Sequence, residues 1–97
     1  MSSFGLENIT GSEYRYSRID NFITRLENKI IDHLSTVILD GVGIDQAMTI
    51  AMGMTFQEER INDDNMPILL NLLQSVRGVD SLLGWAGLLA DRYVRNE

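Results

Sequence analysis

The 97-residue chain contains no cysteine. That excludes disulfide staples, thiolate metal sites and cysteine nucleophiles. Proline occurs once, as Pro67, between apolar segments rather than inside one. Histidine also occurs once, as His33, with no neighbour at the spacing of a second metal ligand or a nucleophile. No glycine-rich loop has the pattern that cradles phosphates. No apolar run approaches the ~20 residues a membrane span requires. The opening residues lack the basic and apolar stretches of a secretory leader. The expectation is a cytoplasmic protein with no membrane partner, no metal, no cofactor and no enzymatic activity.

Positive charge is scarce. Eight Lys and Arg stand against fourteen Asp and Glu, for a net charge of −6. This acidic balance opposes binding to phosphate backbones, so nucleic acid is an unlikely partner on composition.

Apolar residues make up 44% of the chain and charged residues 23%. These are ordinary values for one folded domain. Residues 1–11 show no sustained period and read as a flexible N-terminal arm. Residues 12–97 read as a single helical domain. From Ser12 to Leu39, Ile19, Ile23, Leu26, Ile30, Leu34 and Val37 recur in steps of four, three, four, four and three. That mean of about 3.6 is the α-helical period. Asp40-Gly41 supplies the stop. A second helix is expected from Ile44 to Arg60. It is apolar nearly all round, which predicts a helix sandwiched between others. Met48, Met52 and Met54 lie at helical spacing, and the expectation is core. Asn62-Asp63-Asp64-Asn65 is a polar turn, and Pro67 then falls in the first turn of a helix.

From Met66 to Arg95 a seven-residue repeat runs through two positions. Leu69, Val76, Leu83 and Ala90 hold one; Leu72, Val79, Ala86 and Tyr93 hold the other. This predicts one long, coiled-coil-like C-terminal helix, although Gly78 offers a place to break. The fold class is therefore all-α: a small bundle of three main helices, or four if the last breaks near Gly78.

Two surfaces stand out. On a helical wheel, Arg15, Arg18, Arg25 and Lys29 form one flank of the first helix, and Glu13, Asp20 and Glu27 the other. If two copies of this helix paired, the opposite flanks would favour a parallel or steeply crossed arrangement. The second surface is on the last helix. Trp85, Leu88, Leu89 and Arg92 form the candidate partner interface, because Trp85 and Leu88 fall off the heptad seam and an aromatic anchor there suits a subunit contact. Gly84, Ala86, Gly87 and Ala90 are small enough to let another backbone approach. The reading is a non-enzymatic protein–protein interaction module: a small regulator, adaptor, chaperone or inhibitor, with a homodimer favoured. The alternative is a DNA-binding transcriptional regulator using the Arg-rich first helix.

Overall fold

The computed structural model describes the backbone of residues 11–96 and the side chains of residues 15–96. The expected arm lies outside these residues, apart from Gly11, which is helical. Four helices and no strand are present among the described residues: α1 (Gly11–Leu39), α2 (Ile44–Glu58), α3 (Met66–Arg77) and α4 (Leu82–Arg95).

Helix α1 buries the stripe its period predicts. Ile23, Leu26, Ile30 and Leu34 are fully buried, and Val37 nearly so. It stops where Gly41 adopts φ +90°, a left-handed conformation that costs glycine little. Helix α2 doubles back along α1, so that Glu58 and Glu59 at its end reach His33, Lys29 and Arg25. Only one side of α2 is buried, through Ala47, Met48, Ala51, Met52 and Thr55. The sandwiched helix expected from composition is therefore not found. Ile50 and Met54 face outward, and of the three clustered methionines only Met48 and Met52 are core.

Helix α2 ends in a Schellman turn. The Ile61 N–H donates to the Phe56 carbonyl at 2.8 Å and the Arg60 N–H to that of Gln57 at 3.3 Å. Arg60 occupies the left-handed position, at φ +60°. Glycine is the residue that accepts this position without steric cost. Arg60→Gly should therefore raise stability by about 1 kcal/mol. A urea midpoint that stays level or falls would count against that strain.

The turn that follows is stitched by two asparagines. The Asn62 Oδ1 accepts from the Asp64 N–H at 2.9 Å, and the Asn65 Oδ1 accepts from the Asn62 N–H at 2.7 Å. Pro67 then sits in the first turn of α3, where its missing N–H has no intrahelical partner to lose.

The long C-terminal helix is broken. Gly78 takes φ +72°, ψ +20° and closes α3 by donating its N–H to the Gln74 carbonyl at 3.2 Å. Ser81 is extended, and its Oγ accepts the Gly84 N–H at 3.0 Å, capping α4. The two chain ends are thus satisfied separately, and a continuous helix through Gly78 is corrected to two helices. Leu83, a seam residue in the heptad reading, is 83% exposed. The seam does not run on as one stripe. All four helices nevertheless contribute to a single connected core.

Candidate interaction surfaces

Four side chains of the two charged flanks of α1, Arg25, Lys29, Asp20 and Glu27, are answered within the chain. On the basic side, Arg25 Nη1 donates to both Glu59 carboxylate oxygens at 2.9 and 3.0 Å. Lys29 Nζ lies 2.7 Å from the same carboxylate. The Lys29 hydrogen bond, followed by that of Arg25, holds the Glu59 carboxyl below its ordinary value of 4.5. His33 Nε2 stands 3.0 Å from Glu58. The lone histidine is thus engaged by a partner 25 residues away along the chain, and its ring bridges α1 to α2. Arg15 and Arg18 lie nearer the N-terminal end of α1, beside Ile19, Phe22 and Leu72 of an apolar hollow.

The acidic side is more deeply set. Glu27 is 4% exposed. Its Oε2 accepts from Arg77 Nε at 2.9 Å and from the Trp85 indole N–H at 2.8 Å. Its Oε1 accepts from Arg77 Nη2 at 3.0 Å, and Arg92 Nη1 stands 3.7 Å away. Arg77 also donates to Asp20 and to Thr24 Oγ1. The guanidinium is pushed above the ordinary arginine range, first by its hydrogen bond to Glu27 and then by Asp20. No buried side-chain nitrogen or oxygen among the described residues lacks a partner. Such saturation is what a buried ion pair needs to offset its desolvation. Arg25, Lys29, Asp20 and Glu27 are thus engaged inside the chain rather than turned toward a second α1 helix.

The expected partner interface divides into two parts. Trp85 and Leu89 are buried core residues. The Trp85 ring stacks on Phe56, with centroids 6.4 Å apart. Its apolar body fills the core and its N–H finds Glu27, which is the normal condition of a buried tryptophan. Trp85 is therefore not an accessible anchor in this fold. Leu88 remains on the surface at 44% exposure. Arg92 is half-exposed, held to Asn28 Oδ1 at 3.3 Å and facing Glu27.

A surface that helical spacing did not assemble lies between α2 and α4. Two adjoining depressions, of about 350 and 310 Å³, share Thr49, Leu83 and Ala86. Together they form one groove open to solvent. Met48 and Met52 line the α2 side, and Ala86, Gly87 and Ala90 the α4 side. Leu83 stands exposed at its edge. Gly53 also lines it, although glycine inside a helix costs about 1 kcal/mol relative to alanine. The sequence signals for this groove were the methionine cluster and the run of small residues in α4. Their meeting needed the break at Gly78 that redirects α4. A second apolar hollow lies between α1 and α3, around Phe22, Ile61, Ile68 and Leu72, with Ile68 at 61% exposure.

Among the described residues no three His, Asp or Glu side chains are grouped to hold a metal ion. No helix among them is long and apolar enough to cross a membrane. No family model matches the chain, and no curated protein or solved structure matches it.

Proposed function

We propose that the chain is a non-enzymatic protein–protein interaction module, a small regulator, adaptor, chaperone or inhibitor that works in the cytoplasm through its helical surfaces. The observation that carries this reading is the open apolar groove between α2 and α4, edged by Leu83 at 83% exposure. A leucine so exposed beside an apolar depression supports reading this face as a contact surface. The nucleic-acid alternative is weakened, because Arg25 and Lys29 already neutralise Glu59 and a phosphate-binding face requires cations on offer.

A homodimer belongs to the same proposal, built on α1 and α3. Phe22, Ile61, Ile68 and Leu72 supply an apolar centre. Arg15 borders that hollow, and the exposed Asp63 and Asp64 lie in the turn just before α3. A two-fold interface needs a patch complementary to itself, and this one carries both signs. Light scattering combined with affinity capture from native lysate tests the reading. The native protein should run as a dimer that Ile68→Glu converts to a monomer, and should retain a partner that Leu83→Glu releases. A monomer that captures the same proteins as both variants would remove the proposal.

A further inference from the structure

The α2–α4 groove has an asymmetry of charge as well as an apolar floor. Asp45, in the first turn of α2, is the charged residue in its lining, and no Lys or Arg lines it. Four of the chain's eight cations, Arg25, Lys29, Arg77 and Arg92, face its own carboxylates, and the net charge is −6. The charge this lining offers a ligand is therefore negative, and it sits at the Asp45 end.

Shape points the same way. A Cβ added to Gly53 or to Gly87 would meet nothing within 4 Å. Neither glycine is needed for packing inside the chain, and both leave open space in or beside the groove. From Phe56 to Asp45 the α2 wall rises about 16 Å, or three helical turns. That length presents three or four anchor positions to a helix laid along it, at i, i+3 or i+4, and i+7.

We infer that this groove receives an amphipathic helix of a different protein, its apolar stripe against Leu83, Ala86 and Ala90 above the Met48 and Met52 floor and its basic end against Asp45. The inference rests on the interaction reading above and supplies the chemistry of the partner. A second copy of this chain is already assigned to the α1–α3 hollow in that reading, and at this groove it would set Asp45 against a lining with no Lys or Arg to answer it.

The test uses two fluorescein-labelled helical peptides with the same leucine and alanine stripe, one with a lysine polar face and one with a glutamate polar face. Fluorescence anisotropy with the full chain should show the lysine peptide binding at roughly micromolar to tens of micromolar Kd. The glutamate peptide should bind at least about tenfold more weakly. Asp45→Lys should weaken the lysine peptide about tenfold. Gly87→Leu, which fills open space and leaves the fold intact by circular dichroism, should abolish binding. Equal affinity for the two peptides, no binding of either, or a lysine peptide indifferent to Gly87→Leu would each overturn the inference. So would a native dimer that Gly87→Leu converts to monomer, since the groove would then belong to a second copy. If the peptides fail while Leu83→Glu still releases a captured protein, the interaction reading stands and the cationic-helix assignment falls.

Discussion

Replacing Glu27 with alanine should remove about 3–5 kcal/mol of stability. The carboxylate is buried and holds three donors from two other helices. Its loss leaves the part-buried Arg77 guanidinium with Asp20, Thr24 and the Val76 carbonyl, and leaves the Trp85 N–H without an acceptor. Domains have about 5–15 kcal/mol in total, so this one change threatens the fold. Glu27→Gln keeps an acceptor for Trp85 and should cost less. The double replacement Glu27→Leu with Arg77→Met removes both charges, so its cost should fall short of the sum of the two singles by at least about 1 kcal/mol. Urea unfolding followed by circular dichroism measures all five variants, the two singles included. A Glu27→Ala loss under about 1 kcal/mol would mean that the cluster contributes little beyond a solvated pair.

Trp85→Ala should cost a similar amount, about 3–5 kcal/mol, through the cavity left by the largest fully buried side chain in the core. The indole also stacks on Phe56 and donates to Glu27. Trp85→Phe retains a ring for the core and loses the donor, which predicts a smaller cost of about 1–2 kcal/mol. The order of the two, read from urea midpoints by circular dichroism, separates packing from hydrogen bonding. Equal costs would assign the whole effect to the hydrogen bond. Trp85→Ala is consequently unsuitable as an interface variant, since any partner lost with it could be lost through unfolding. Leu83→Glu and Ile68→Glu change exposed side chains and serve that purpose.

The helices were legible where one residue type at one spacing determines the outcome. The stripe from Ile23 to Leu34 can face only one way, and Gly41 and Pro67 act through backbone geometry that is local. The break at Gly78 was legible only as an option. A heptad count records spacing and is blind to facing, so Leu83 kept the register while pointing into solvent. The signals for the break were nevertheless local, namely a glycine followed three residues later by a serine cap. The direction of Trp85 was not legible at all. It turns inward because a buried acceptor awaits it, and that acceptor is 58 residues earlier in the chain. The charge segregation of α1 was read correctly as a pattern, but its answering groups, Glu58, Glu59, Arg77 and Arg92, are supplied by other helices. The α2–α4 groove failed to appear for the same reason, being a product of how two helices come together.

The distances along the chain have a consequence for the order of assembly. Helices α1 and α2 are joined by residues 40–43 alone, so their hairpin closes a short loop. The bonds to Glu27 come from residues 50 and 58 positions away, and loops of that length close more slowly and at greater entropic cost. The α1–α2 hairpin is thus placed to form first, with the α3–α4 half docking onto it afterwards. Until Arg77 and Trp85 arrive, Glu27 stays hydrated and the apolar face of α1 beside it stays open. Docking of the α3–α4 half is therefore the step that takes Glu27 out of water, and the lone tryptophan, whose fluorescence changes as it leaves water, reports on that step.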